Sequence, residues 1–560
     1  MTQTLVFFPT YNEAGNVAAL VAAIRAMLPQ AHILAVDDAS SDGTGQLLDD
    51  LAREHSHVTI IHRPRKLGIG TAHKLAMTYA RRFRFDPLIT MDADFSHHPR
   101  YLPRMAELIG NHDFVTGSRY ITGGQCDYGQ YRTLLSRGAN VVARSALGLP
   151  LAENTTAFRG FRLSVLDRLD LDGIQSEGYS FFVESLYRIH RLGADLAEFP
   201  IHFENRRSGQ SKISKIEIYR AMLTIIRLAV KRLTGRASEY AAHSRAPVTA
   251  VCPSCRGRLH TQFYPPMGNP VSTPQAYVCA TSAKRAYGRI FQCLQCGLAF
   301  MPTDLTPDAL AQAYAGVQDP TYLAHIQARI HTFDYNLKQI EPFLKDAKRL
   351  LDVGSYCGAF MQCAQKQGLD VVGLEPSRWA SQVSRRRVSA PVITGALAQM
   401  PDDVGPFDII TMWDVLEHFI DPAAELGHIH RLLDDNGKLI FSTLDISNWF
   451  ARVCGRRWPW YMPMHLIYFT PHTLADLLAR HGFEIIAAQP YCHIITLDYL
   501  LTKLASLGIP GAGRLSAKAA ATQWGQRMIA FKFGDIKWFV CQKSDAPLST
   551  PGNARLYHDA

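Results

Sequence analysis

The 560-residue sequence predicts an α/β protein with two sheet domains and a small module between them, and three observations predict it. Apolar runs TLVFFPT, HILAVDD, PLITMDAD and DFVTGSR alternate with helical patterns over residues 1 to about 212, the signature of a mainly parallel sheet. Residues 345 to 545 repeat that alternation. Between them, from about Arg236 to Pro307, a stretch rich in Pro, Ser, Thr and Cys lacks periodicity and reads as a linker plus a small stapled module. The two halves share no motif order, so a fusion of different domains is expected and not a duplication. The expected units are 1–213, a linker helix over 214–250, the module at 251–300, the second domain at 301–545 and a flexible tail at 546–560.

Composition narrows the class. An apolar fraction of 47% and a charged fraction of 19% are ordinary for folded domains and argue against disorder or a fibrous repeat. No run of about 18 uncharged apolar residues occurs, and MTQTLVFFPTYNEAGN enters a strand without a basic region or cleavage site, so neither secretion nor a membrane span is expected. Eleven cysteines include two Cys-x-x-Cys pairs and no disulfide framework, which suits a reducing cytoplasm. The formal charge of +10 fits nucleic acid, anionic lipid or phosphorylated substrates equally.

In the first domain three strands end in acidic or polar clusters: Tyr11, Asn12 and Glu13 after the first, Asp37 and Asp38 after the second, Asp92 and Asp94 after the third. Ligands of open α/β sheets bind outside the carboxyl ends of strands, so the three clusters are expected at one crevice. Two carboxylates one residue apart suit a divalent cation on a diphosphate, and hard oxygen donors favour Mg2+ or Mn2+. An isolated Asp-x-Asp is commonly a solvated turn; three acidic strand ends in register are not.

The segments PTYNEAGN, VDDASSDGT, LGIGTA, MDADFSHHP, GSRY, SRGAN, GYSFFVE and FENRRSGQSK follow one another as in family-2 glycosyltransferases of dolichol-phosphate mannose synthase type, which residues 3 to 213 resemble. The resemblance implies a GT-A fold, a nucleotide-sugar donor (GDP-mannose), a divalent metal, a polyprenyl or dolichyl phosphate acceptor and inversion at the sugar. It also implies that Pro9, Tyr11, Glu13, Val36 and Asp38 line the nucleoside and that Asp92, Ala93 and Asp94 hold ribose, diphosphate and metal, Asp94 as direct ligand. Arg119, Arg206 and Lys212 match the family's basic positions, where cations stabilise a departing diphosphate. The acceptor phosphate is already ionised, so no strong general base is required. Where the family commonly has an Asp-x-Thr segment ending in Phe-Arg, this chain has Glu153 to Arg159, with a longer carboxylate and Ala157 in place of Gly. Glucose or N-acetylglucosamine donors stay open beside mannose.

From Lys215 to Leu233 the polar residues Glu217, Arg220, Thr224, Arg227 and Lys231 recur at spacings of three and four, predicting an amphipathic helix. To Arg236 the segment holds six basic residues against one acidic. Such a helix suits an anionic lipid surface, or packs on the protein with its basic stripe in solvent. Peripheral attachment to the cytoplasmic face of the membrane is the expectation.

Cys252, Cys255, Cys293 and Cys296 form two knuckles separated by 37 residues, a set that satisfies tetrahedral, structural Zn2+ in a zinc-ribbon-like module. Pro265, Pro266, Pro270 and Pro274 predict a long loop between the knuckles, with Cys279 outside the set. No recognition-helix pattern or aromatic platform accompanies the module, so nucleic acid is not expected as a partner.

In the second domain RLLDVG supplies Asp352 and Gly354, a turn containing Gly358 opens a helix, and VVGLEP ends in Glu375, placed to accept hydrogen bonds from ribose hydroxyls. Dinucleotide binding uses the same geometry. FDIITMWDVLEHFIDP, with Asp408, Asp414, Glu417 and His418, resembles the strand and helix after the cofactor pocket of class I methyltransferases, a Rossmann-like fold; the resemblance spans residues 300 to 545 and includes PMHLIYFTP. It implies S-adenosylmethionine contacts at Asp352, Gly354, Gly358, Glu375 and Asp414, while Tyr356 replaces the usual middle Gly and no acid stands near Ala398. His418 and His465 are candidates for general base or for substrate positioning. An NAD(P)-dependent enzyme or a degenerate adaptor are the alternatives. The sugar, the lipid length, the methylated atom and the oligomeric state leave no motif.

Overall fold

A computed structural model describes residues 3–127, 129–176, 178–205, 215–234, 250–268, 277–278, 286–401, 404–506, 511–520 and 522–544. Buried apolar runs make the first sheet: β1 (Leu5–Thr10), β2 (His32–Asp37), β3 (Val58–His62), β4 (Leu88–Thr90), β5 (Phe114–Ser118), β6 (Arg159–Phe161) and β7 (Leu196–Pro200), in the order β3-β2-β1-β4-β6-β5-β7. Strands β3, β2, β1 and β4 are parallel, and β6 runs antiparallel to both its neighbours. Alternate residues serve opposite layers: Leu5, Phe7, Leu34 and Val36 enter one core, Val6, Phe8, Ile33 and Ala35 the other. A sheet covered on both faces explains why these strands are apolar nearly throughout.

Helices α1 (Gln130–Leu147), α2 (Ser180–Arg191) and α3 (Lys215–Leu233) belong to this half. The amphipathic helix expected over 215–233 is α3. Its Thr224, Ile225 and Leu228 are buried, and Arg227 donates to the buried Glu184 of α2 at 2.7 Å. A second apolar stripe of α3 (Tyr219, Met222, Ile226, Val230, Leu233) stays exposed. No helix among the described residues is long and apolar enough to cross a membrane.

The middle module contributes β8 (His260–Tyr264), β9 (Ile290–Cys293) and β10 (Ala299–Phe300). The second domain opens with α4 (Pro307–Ala315), started by Thr306, whose hydroxyl accepts from the Ala309 amide at 3.2 Å, and by Pro307. Its sheet comprises β11 (Arg349–Val353), β12 (Asp370–Glu375), β13 (Val392–Thr394), β14 (Phe407–Trp413), β15 (Leu433–Leu444), β17 (Phe483–Pro490) and β18 (Ile536–Lys543), ordered β13-β12-β11-β14-β15-β18-β17. β18 pairs antiparallel with both β15 and β17, and the other pairings of this sheet are parallel. Helices α5 (Ala359–Lys366) and α6 (Arg378–Arg387) follow β11 and β12.

The module is not self-contained. Its sheet is completed by β16 (Ile467–Tyr468) of the second domain, in the order β8-β9-β10-β16, and residues from Cys252 to Met301 share that domain's core. Leu259 and Leu294 pack instead into the core of the first domain. Asp172 of the first domain accepts from the Gln262 amide at 2.7 Å and from Thr261 at 2.9 Å, and Arg65 meets Asp476 at 2.9 Å.

Candidate active sites

Parallel pairing of β2, β1 and β4 brings the ends of all three strands to one sheet edge, with Asp37 level with Thr10. Tyr11 to Glu13, Asp37 and Asp38, and Asp92 to Asp94 therefore share that edge, as their spacing predicts. The Asp37 carboxylate organises the turn: it accepts from Thr10 at 2.8 Å and from the Ser40 amide at 3.0 Å. Asp38 is bound by the guanidinium of Arg63, itself fully buried, which donates onward to Thr71 at 2.8 Å. Glu13 accepts from Asn16 at 2.8 Å, and Lys66 lies 4.1 Å above the Tyr11 ring.

Asp94 is buried and accepts from the Ser96 amide at 3.0 Å, whereas Asp92 keeps 29% of its side chain exposed. His97 braces this turn. Its Nδ1 accepts from the Asp92 amide at 3.1 Å, which leaves the proton on Nε2 for Thr156 at 3.0 Å, and its ring stacks on Phe158.

Arg119, from the end of β5, is clamped by Glu153 through two bonds of 2.7 and 2.9 Å, and both side chains are buried. The Arg119 cation holds Glu153 below the usual carboxylate range against the opposing effect of burial. Thr155 adds a 2.9 Å bond to the same carboxylate. The longer acid at position 153 is thus the length that reaches Arg119. Arg159 is wholly buried, its guanidinium pushed down to about 9 by burial, and it donates to the carbonyls of Phe182 and Asn154, each at 2.8 Å. Arg206 and Lys212 lie outside the described residues.

The four cysteine sulfurs cluster within 4.8 Å of one another, Cys252 to Cys296 at 3.6 Å and Cys255 to Cys293 at 3.5 Å. Tetrahedral zinc with Zn–S near ~2.3 Å needs sulfurs roughly 3.8 Å apart, so the set has the right size. Cys279 and the loop prolines 270 and 274 lie outside the described residues.

The second domain holds a cavity of about 1210 Å3, beyond the ~300–1,000 Å3 typical of a pocket for one small ligand. Asp352, Gly354, Glu375 and Asp414 line it, with Leu397 to Gln399 where no acid stands. Gly354 has φ +74°, and a Cβ there would come within 2.6 Å of Val415. Tyr356 takes φ +46° despite its side chain; its amide donates to Glu375 at 2.8 Å and its hydroxyl to Asp319 at 3.0 Å. Gly358 does not line the cavity: its missing Cβ clears Ser384 of α6, which would sit 2.6 Å away. Asp408 sits at the opposite end of β14, accepting from the Lys348 and Arg349 amides at 2.8 Å.

Burial raises Asp352 to about 8 and Glu375 to about 7, the former also repelled by the latter. Asp414, with φ +54°, accepts from Ser442 at 2.6 Å. His418 and His465 meet edge to face at 4.9 Å in the same cavity wall. Desolvation keeps both neutral, lowering His465 to about 4 and His418 well below its usual value. Tyr314 of α4 bonds His418 Nδ1 at 2.6 Å, and His465 Nδ1 donates to the Trp460 carbonyl at 2.8 Å.

Sequence reasoning missed Arg63, Lys66, His97 and Tyr314. The run HRPRK after β3 and the HHP of MDADFSHHP were the available signals.

Comparison with known proteins follows this division. Residues 5–170 match the model of glycosyl transferase family 2, and residues 323–488 that of a methyltransferase domain. The chain is 37% identical over 238 residues to a polyprenol monophosphomannose synthase of Mycolicibacterium smegmatis, covering 42% of this chain and 90% of that protein. It is 37% identical over 226 residues to an undecaprenyl-phosphate mannosyltransferase of Micrococcus luteus, covering 40% of this chain and 93% of that one. A crystal structure of a SAM-dependent methyltransferase, possibly a histamine N-methyltransferase, from Thermotoga maritima matches at 19% identity and a TM-score of 0.26, over 38% of this chain and 91% of that chain.

Proposed function

Because the chain belongs to glycosyl transferase family 2, we propose that its first half moves mannose from GDP-mannose to a polyprenyl phosphate, and that its second half methylates a sugar or related small molecule of the same glycan pathway. The observation that carries the first activity is the convergence of three acidic strand ends on one sheet edge.

Asp92 and Asp94 offer the hard oxygen donors that Mg2+ or Mn2+ prefers, so the residues present fit that cation. Bound there, it would neutralise the charge of the departing diphosphate. The protein's own part is positional: Asp38 and Glu13 face the nucleoside, and His97 fixes the Asp92 turn. Arg119 arrives pre-oriented by Glu153, ready to stabilise negative charge without reorganising. The acceptor phosphate attacks as an anion, so orientation supplies most of the acceleration.

The acceptor's lipid needs a surface. Exposed Leu134, Leu135, Val141 and Val142 on α1 lie beside the exposed stripe of the adjoining α3, with Arg137, Arg144, Arg220 and Arg232 also exposed on these two helices. This combination supports peripheral attachment to the anionic cytoplasmic leaflet.

In the second half, the cavity is large enough for S-adenosylmethionine and an acceptor together, which favours an active methyltransferase over a degenerate adaptor. Glu375 and Asp352 would receive hydrogen bonds from the cofactor, and His418 and His465 face the acceptor. Zn2+ in the four-cysteine cluster is structural, since four thiolates leave no open position.

The test is sugar transfer with Asp94→Asn in the full chain. Transfer from GDP-mannose to polyprenyl phosphate is expected to fall at least ~100-fold, the scale of losing one preorganised charge contact. Unchanged transfer and metal dependence would refute the assignment, and faster transfer from UDP-glucose or UDP-N-acetylglucosamine would refute the donor.

A further inference from the structure

The cavity wall of the second domain carries a group that neither methyl-donor binding nor packing accounts for. Glu417 is completely buried, yet only its Oε2 is engaged, accepting from Thr443 at 2.9 Å; Oε1 is buried without a partner. A buried carboxyl oxygen in that condition is costly, whether it is ionised and lacks a cation or carries a proton with no acceptor.

Two imidazoles stand at the same place. One ligand atom each from Glu417, His418 and His465 fall within 4.8 Å of one another. A hydrogen bond behind each ring orients it, and for His465 it also sets the tautomer. A carbonyl can only accept, so the His465 bond to Trp460 puts the proton on Nδ1 and leaves the Nε2 lone pair free. Tyr314 meets His418 Nδ1 at 2.6 Å and so orients that ring, although a hydroxyl, which can donate or accept, does not fix its tautomer. Metal-binding histidines are oriented by just such a bond from the far ring nitrogen. The backbone fixes the third ligand: the Glu417 carbonyl accepts from the Leu466 amide at 2.8 Å, which ties the Glu417–His418 turn to the segment bearing His465.

We propose that Glu417, His418 and His465 form a second metal centre, which binds one divalent first-row transition ion in the wall of this cavity. Two imidazoles and one carboxylate suit Zn2+, Fe2+ or Co2+ better than Mg2+. Unlike the four-cysteine cluster, three protein ligands leave coordination positions open. Where the cavity holds a methyl acceptor, which rests on the methyltransferase assignment, those positions would take hydroxyl or carbonyl oxygens of that acceptor. The two histidines would then serve as ligands, and the acceptor's hydroxyl would lose its proton more readily through the ion's charge.

The experiment uses the full chain, stripped by chelation and titrated with Co2+ as the one transition ion, with bound cobalt counted after dialysis. Thiolate ligation gives intense charge-transfer absorption and nitrogen–oxygen ligation gives weak ligand-field bands, and excess Mg2+ is kept present throughout to occupy the all-oxygen Asp92–Asp94 site, so the two remaining centres separate in one spectrum. Wild type is expected to show both sets. Glu417→Gln is isosteric, His418→Asn and His465→Asn are smaller but polar, and all three are expected to lose the weak bands and about one equivalent of cobalt while keeping the thiolate bands, which report an intact fold. Loss in any one variant that keeps the thiolate bands supports the centre. Absence of the weak bands in wild type, or their persistence in all three variants, overturns it. Calorimetry with S-adenosylmethionine is read separately: cobalt uptake without cofactor binding would count against methyl transfer and leave the metal centre standing.

Discussion

At the scale of single residues, buried charge is met by a partner that sequence distance conceals. Glu153 lies 34 residues from Arg119 and Arg63 lies 25 from Asp38, yet each pair is buried and hydrogen-bonded. Breaking one side of such a pair leaves an uncompensated charge, which costs about 3–5 kcal/mol. The acids that end β1, β2 and β4 were legible because strand ends converge by topology, whereas the bases that answer them were not. In the second domain Asp352 and Glu375 are raised by burial to about 8 and about 7, well above their unfolded values. Raised acids hold protons in the folded state that the unfolded chain has released, so their contribution is full below about pH 4 and is lost as pH rises through 7 and 8. A cofactor that donates hydrogen bonds to the ionised carboxylates has the opposite preference. S-adenosylmethionine binding is therefore expected to release protons and to strengthen between pH 6 and 8. Calorimetry in buffers of different ionisation enthalpy checks this; an affinity flat across that range would contradict it.

At the scale of elements, the period of α3 was legible and its orientation was not. The 3.6-residue pattern specifies an apolar face, but this helix carries two apolar stripes: among its described side chains Ile225 and Leu228 enter the core, on the side where Arg227 meets Glu184. The exposed stripe gains meaning beside α1, whose Leu134 is 70% exposed, a helix the sequence did not single out. Turning the two stripes polar with Val141→Glu and Ile226→Glu should cut partition onto anionic vesicles by at least ~10-fold each, the equivalent of about 1.4 kcal/mol per site. Sedimentation with vesicles measures it, and sugar transfer to a short, water-soluble polyprenyl phosphate should stay near wild type. Equal vesicle binding by the double variant would remove the surface from consideration.

At the scale of the whole molecule, the four-cysteine module is a wedge between two sheets. Leu259 and Leu294 serve one domain's core, the Cys252 to Met301 residues serve the other's, and β16 completes the module's own sheet. Zinc removal, or Cys293→Ser, is accordingly expected to lower the melting temperature of the second domain by at least ~5 °C and to loosen its junction with the first. Scanning calorimetry with and without chelator checks it, and an unchanged second-domain transition would show the module to be dispensable. The sequence by itself determined the two α/β halves, the cysteine set, the acidic strand ends and the methyl-donor strands, since each is written in residues close along the chain or in a fixed period. Only the tertiary structure decided which acid meets which base, that Gly358 clears a neighbouring helix, that the module belongs to both domains, and that Glu417 and His418 stand against His465. Those facts depend on residues far apart in the chain whose approach is set by packing, and packing leaves no local pattern to read.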